Sequence, residues 1–151
     1  MVSSLNKAGI FMNIFIFQSV PDRYDLEVQI KAGERDTWYA TRYRKVMSEG
    51  DLVFFWMAGD DERKGIYGWG EIASAPYILP AWKSFGVDVV YKEKFKGKIS
   101  KRILHQSDVL KQMLLFRAPQ ATNFLLSKEE GVELVNIVKE KGFFAPEVQD
   151  A

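Results

Sequence analysis

The apolar residues of this chain fall into short runs that change period several times, and those changes mark out its elements. Asn13 to Ser19 (NIFIFQS) is rich in β-branched and aromatic residues and stops before Pro21-Asp22, which reads as a first strand. Leu26 and Ile30 form an i,i+4 pair within Tyr24–Ala32 and predict a short helix with Gly33 as its C-cap. Thr37-Trp38-Tyr39 lies in a polar surround and reads as loop, with a helical turn over Arg42–Met47 after it. Glu49-Gly50-Asp51 is a turn that launches the clearest strand, Leu52–Met57 (LVFFWM). A charged loop, Ala58–Gly65, leads to a returning strand over Ile66–Ser74. Its period of two sets Ile66, Gly68, Gly70 and Ile72 against Tyr67, Trp69 and Glu71. Two glycines on one face imply tight curvature or close approach by another backbone.

Pro76 to Pro80 reads as a break in the sheet, and Val87–Phe95 as a further strand that is basic along one face. Ser107–Leu115 predicts a helix opened by Ser107 or Asp108, and Asn123–Leu126 a short extended segment. Ser127-Lys-Glu-Glu130 has the form of a capping box, in which the hydroxyl and the carboxylate satisfy each other's backbone amides. It starts a helix with Val132, Val135 and Val138 inward and Lys141-Gly142 at its end. No alternation of strand and helix suited to a parallel sheet is present, so the pattern predicts an α+β fold, a mixed β-barrel flanked by short helices. One domain over residues 12–144 accounts for the pattern, with 1–11 as an upstream extension and 145–151 as a loose tail.

Composition narrows the chemistry. The 151 residues include 11 Phe, 6 Tyr and 4 Trp, an unusual aromatic content of which some must be core, and the question is whether all of it is. Net charge is +1, so attraction to nucleic acid would need a local basic surface. No cysteine and a single histidine (His105) exclude thiol nucleophiles, cysteine-based metal sites and a histidine-rich centre. Gly68 and Gly70 lie within a strand and fit no phosphate loop, so no cofactor is expected, and no catalytic motif is found. The longest apolar stretch, Ile10–Phe17, is too short to span a bilayer, which makes a cytoplasmic location the default expectation.

Several pieces in a fixed order carry a resemblance. Trp38, Arg42-Tyr43, Gly50-Asp51 with the strand to Trp56, Gly65-Ile66-Tyr-Gly-Trp-Gly70-Glu-Ile72 and Ser74-Ala-Pro76 are followed by Pro119-Gln-Ala-Thr-Asn123-Phe124-Leu-Leu-Ser127 and Glu129-Glu130. This arrangement resembles the EVE domain, a PUA-like family related to the YTH readers of methylated RNA. The resemblance spans roughly residues 13–140. Gln18-Ser19-Val20 departs from the family's usual Lys-Ser-Glu, and the interval from Trp38 to Gly50 is shorter than in many members.

The resemblance implies a barrel cavity that holds an extruded, modified cytosine or adenine of DNA or RNA, and a setting in RNA modification or in restriction and defence. It places Trp38 on the aromatic wall and Ser19 on the first strand beside it. Our own reading adds Trp56 as a second stacking ring, with Tyr39 as the next candidate, and Ser19, Asn13 and Gln18 as donors and acceptors for the base edge. On sequence alone Trp56 fits a core position equally well. Phosphates would meet Arg42, Arg44 and Lys45, or the basic stretch holding Lys92, Lys94, Lys96 and Lys98, where Tyr91 and Phe95 are interleaved. Two rivals stand beside this reading. One is an ASCH-like enzyme using Lys45, Thr41 and Glu71; the other is a barrel that binds small molecules or proteins without nucleic acid.

Overall fold

Strands that are apolar on both faces need cover on both faces, and the architecture of the computed structural model follows from that demand. It describes residues 4–5, 11–118 and 120–148. The strands are β1 (Ser4–Leu5), β2 (Phe11–Met12), β3 (Ile14–Ser19), β4 (Arg35–Tyr39), β5 (Leu52–Met57), β6 (Gly65–Ile72), β7 (Tyr77–Leu79), β8 (Ser84–Ser100) and β9 (Asn123–Leu125). The helices are α1 (Leu26–Gln29), α2 (Lys101–Leu104) and α3 (Lys128–Glu140), with several 3-10 turns between them. β1 and β2 pair with each other, while the main sheet runs β4-β8-β6-β5-β3-β9, with β7 added beside β8. Among the described residues only the β3–β5 pair of this sheet is parallel, so the sheet is mixed.

Alternation along the central strands divides the core in two. Ile14, Ile16, Leu52, Phe54 and Trp56 point into one cluster, which Leu134, Val135 and Val138 of α3 cover. Phe15, Phe17, Val53, Phe55 and Met57 point into a second cluster inside the curl of the sheet, with Trp38, Val87, Val89 and Tyr91. All six residues of β5 are therefore buried, which explains its unbroken apolar run. Curvature comes from β6 and β8, whose register shifts twice, between Ile66 and Gly68 and between Trp69 and Gly70. At Gly68 and Gly70 a Cβ atom would run into the carbonyl oxygens of Glu93 and Val90. Both alternatives read from the paired glycines, curvature and close approach, are realised together.

The capping box is present in full: Ser127 Oγ accepts from Glu130 N–H at 3.1 Å, and Glu130 Oε1 accepts from Ser127 N–H at 2.8 Å. The inward face of α3 is Leu134, Val135, Ile137 and Val138, with Val132 only half-buried.

Elsewhere the structure differs from the sequence pattern. The helix expected over 24–32 spans only Leu26–Gln29, because Ile30 turns extended, and Gly33 (φ +89°) instead turns the chain into β4. Trp38, read as loop, lies in β4. The expected break at Pro76–Pro80 contains β7, and the strand expected over 87–95 runs to 17 residues. Ser107–Leu115 forms two 3-10 turns instead of an α-helix, and α2 precedes them, capped by Ser100 Oγ. Ala145 and Val148, read as tail, pack against the first cluster; residues 149–151 and most of 1–11 lie outside the described residues.

Candidate functional site

β4 and β9 are the two edges of the curled sheet, and they face one another without pairing. One side chain joins them. Asn123 on β9, fully buried, donates from Nδ2 to the Tyr39 carbonyl at 2.9 Å. Its Oδ1 accepts from the backbone N–H groups of Thr41 at 3.0 Å and Arg42 at 3.2 Å. Asn123 thus does for one end of the seam what a ladder of backbone bonds does between paired strands. Beyond it the seam stays open, and a cavity of about 720 Å³ occupies it.

Four segments line this cavity: the end of β3 with Gln18 and Ser19, the loop before α1 with Arg23 and Tyr24, β4 from Asp36 to Tyr39, and the approach to β9 from Gln120 to Thr122. Trp82 completes it from the 3-10 turn Pro80–Trp82. The size suits a planar heterocycle, since small-molecule cavities typically fall between about 300 and 1,000 Å³. Four aromatic rings, Tyr24, Trp38, Tyr39 and Trp82, are among its lining. Trp38 and Tyr24 meet edge-to-face at 5.2 Å, and Tyr39 and Trp82 stack at 4.6 Å with a 37° tilt. Tyr39 is 40% and Trp82 37% exposed, so this second pair stands at the mouth.

A chain of hydrogen bonds fixes the wall. Trp38 Nε1–H donates to Tyr91 Oη at 3.0 Å, and Tyr91 O–H donates to Asp36 Oδ2 at 2.7 Å. The other Asp36 oxygen accepts from Thr37 N–H at 2.8 Å. Burial pushes the Tyr91 phenol up, and its bond to Asp36 pushes it further, which favours the protonated, donating form. Tyr91→Phe is therefore expected to cost about 1–3 kcal/mol, through an unpaired indole N–H and a carboxylate that has lost a donor. Thermal denaturation of the two proteins checks this, and an unchanged midpoint would count against the chain. One polar atom in the wall is left over: Ser19 Oγ is buried and has no hydrogen-bond partner. A buried hydroxyl without a partner costs stability unless something enters to bond it.

The structure brings Ser19, Gln18, Trp38 and Tyr39 together around one cavity. It does not bring Trp56 or Asn13 there. Trp56 points from β5 into the opposite cluster, 5.7 Å from the Phe116 ring, so Trp38 and Trp56 form no stacking pair. Asn13 sits at the other end of β3, donating from Nδ2 to the Val46 carbonyl at 2.9 Å. Arg42, Arg44 and Lys45 follow β4 directly and are exposed, with Arg44 over the Phe85 ring at 4.2 Å. Lys92 pairs with Glu71 at 3.9 Å, and Lys94 donates to the Glu27 carbonyl. Lys96 is exposed and Lys98 half-buried, and neither lines the cavity. Tyr91 and Phe95, between those lysines, are buried in different clusters and offer no stacking surface. None of Lys45, Thr41 and Glu71 lines the cavity.

Tyr24, Arg23 and Asp36 escaped the sequence reading, whereas Trp82 could be read there as a lid or as a simple surface anchor. Its position beside Pro80, in a connection between strands, was the signal for it.

The described residues contain no group of three or more His, Cys, Asp or Glu side chains placed to hold a metal ion, and no helix long and apolar enough to cross a membrane. A family model described as EVE domain matches residues 13–137. No curated protein sequence matches the chain. Among solved structures, a hypothetical protein from Leishmania major is 18% identical with a TM-score of 0.71, covering 87% of this chain and 97% of its own. The human THYN1 protein, solved in complex with 5-methylcytosine-containing DNA, is 21% identical with a TM-score of 0.64, covering 83% and 96%. A mutant ZmASCH protein from Zymomonas mobilis is 9% identical with a TM-score of 0.52, covering 82% and 97%. At these identities the likeness concerns the fold, a curled mixed sheet forming a half-barrel with a few helices, in keeping with the α+β mixed barrel expected from the sequence.

Proposed function

The chain belongs to the EVE domain family, and from that membership and the geometry of the seam we propose that it binds nucleic acid through one extruded, modified base held in the seam cavity. The observation that carries this reading is the wall itself: aromatic rings and Ser19 line one cavity, and no protein group satisfies the buried Ser19 Oγ. A base offers a flat face for the rings and a polar rim for the hydroxyl. Stacking is worth about 1–3 kcal/mol per base, comparable with the few kcal/mol needed to pull a base from its stack. The DNA-bound THYN1 structure, of the same fold, supports the ligand class.

Arg23 at the cavity and Arg42, Arg44 and Lys45 after β4 supply the cations for flanking phosphates. Lys92 and Lys94 are engaged elsewhere and are left out of this set. Burying one methyl group contributes only roughly 0.8 kcal/mol, so preference for a modified base over its parent comes mainly from shape and edge contacts.

Fluorescence anisotropy with single-stranded oligonucleotides carrying one central modified or plain base tests the reading. Binding is expected to need the modified base and to weaken with salt, by about 0.7 log units per phosphate contact for each tenfold rise. Binding indifferent to the central base would contradict it.

A further inference from the structure

The free edge of β4 carries a second set of polar groups. In an antiparallel pair the backbone N–H and C=O groups of successive residues point alternately toward and away from the partner strand. Ala40 N–H donates to the Phe85 carbonyl at 3.0 Å and Tyr91 N–H to the Glu34 carbonyl at 2.9 Å, so the even-numbered residues of β4 face β8. Residues 35, 37 and 39 therefore face the seam. Two bonds already described agree with this parity: Thr37 N–H turns to Asp36 Oδ1, and the Tyr39 carbonyl turns to Asn123 Nδ2. Among the described residues, the Thr37 carbonyl and the Tyr39 N–H are left without a protein partner, neighbours on the same edge and both in cavity-lining residues.

We infer that this pair, the Thr37 carbonyl as acceptor and the Tyr39 N–H as donor, reads the Watson–Crick edge of the bound base and selects amino bases over keto bases. The inference rests on the seam cavity being the base site, as proposed above. Cytosine presents an exocyclic N4–H₂ donor beside the N3 acceptor, and adenine an N6–H₂ donor beside N1; either matches acceptor and donor in order. Thymine, uracil and guanine present a carbonyl beside a ring N–H, which would set acceptor against acceptor and donor against donor. Buried groups that meet like with like exclude a ligand more strongly than any missing methyl does. The capping of the two flanking groups matters here. Asp36 takes the Thr37 N–H and Asn123 takes the Tyr39 carbonyl, so the edge offers one donor and one acceptor instead of an undirected row.

5-Methylcytosine and thymine share the ring methyl and differ only along this edge, which makes them the sharpest pair of probes. Two single-stranded oligonucleotides, identical apart from one central 5-methylcytosine or thymine, are titrated into the full chain. A bidentate pair of this kind discriminates by roughly 5- to 150-fold, so the thymine strand is expected to bind at least about fivefold more weakly. The Tyr39 amide proton, followed by ¹⁵N-edited NMR, is expected to move downfield with the 5-methylcytosine strand. Preference for 5-methylcytosine without movement of that amide overturns the assignment to β4. Equal affinities that both fall in Trp82→Ala overturn the edge reading and leave the cavity standing, whereas affinities untouched by Trp82→Ala overturn both.

Discussion

Trp38→Ala is expected to lose about 3–5 kcal/mol of folding stability, a large part of the 5–15 kcal/mol that holds a typical domain together. The indole is 6% exposed, packs against Tyr24 and Phe55 at 5.2 Å and Phe17 at 6.1 Å, and donates its N–H to Tyr91. It is both wall and core, so loss of binding in that variant would report a collapsed domain as much as a missing ring. Trp82→Ala separates the two. That ring stands at the mouth, its main aromatic contact the exposed Tyr39. Its removal should change stability by about 0.5 kcal/mol or less, yet reduce oligonucleotide affinity by the worth of a stacking contact, about 1–3 kcal/mol. Urea denaturation and anisotropy on both variants measure the contrast. If Trp82→Ala binds like the wild type, or unfolds as readily as Trp38→Ala, the division into mouth and core is wrong.

Asn123→Ala is expected to cost about 2–4 kcal/mol, because one deletion strips partners from three backbone groups at once: the Tyr39 carbonyl and the N–H groups of Thr41 and Arg42. Asn123→Asp keeps the acceptor but turns a carboxylate oxygen toward the Tyr39 carbonyl, so it should not restore the loss. The damage should be local first. Hydrogen exchange at the Thr41 and Arg42 amides should quicken well before that of β5, since the seam is where the barrel can open without exposing both clusters. A shift in stability under about 0.5 kcal/mol would mean that the seam is held shut by something else.

The sheet was largely legible in the sequence because both of its periods are visible there. β3 and β5 announce themselves as apolar runs too short for helices, and Gly68 with Gly70 announces the bend that curls the sheet. The Ser127–Glu130 box marks α3 to the residue, since capping is a local matter. Trp38 in β4 was missed because its neighbours Arg35, Asp36 and Thr37 are polar, and what makes them a strand is a long-range partner, β8. The 3-10 turns after α2 were missed for a related reason: Leu110, Met113 and Leu115 reach the core from a path that no helical period describes.

The site was legible in part, and the division follows face and edge. Ser19 and Trp38 could be paired from the family resemblance. Trp56 was drawn in wrongly because an aromatic in a run buried on both sides gives no sign of which cluster it enters; the pairing of Gln18 with Trp56 in the β3–β5 register adds neighbourhood without a shared cavity. Asn13 was drawn in because it shares a strand with Ser19, though the length of β3 separates them. Asp36 and the backbone of Thr37 and Tyr39 could not be found at all, since an edge strand is defined by the partner it lacks.

The central claim is that the open seam between β4 and β9 receives a base. A crystal structure of the chain with a short DNA carrying one 5-methylcytosine tests it most directly. The account predicts that base turned out of its stack, lying between the aromatic rings of the seam with a polar atom within hydrogen-bond distance of Ser19 Oγ. A complex in which the base stays stacked and the seam stays empty, with the DNA held along β8 or α3 instead, would contradict it.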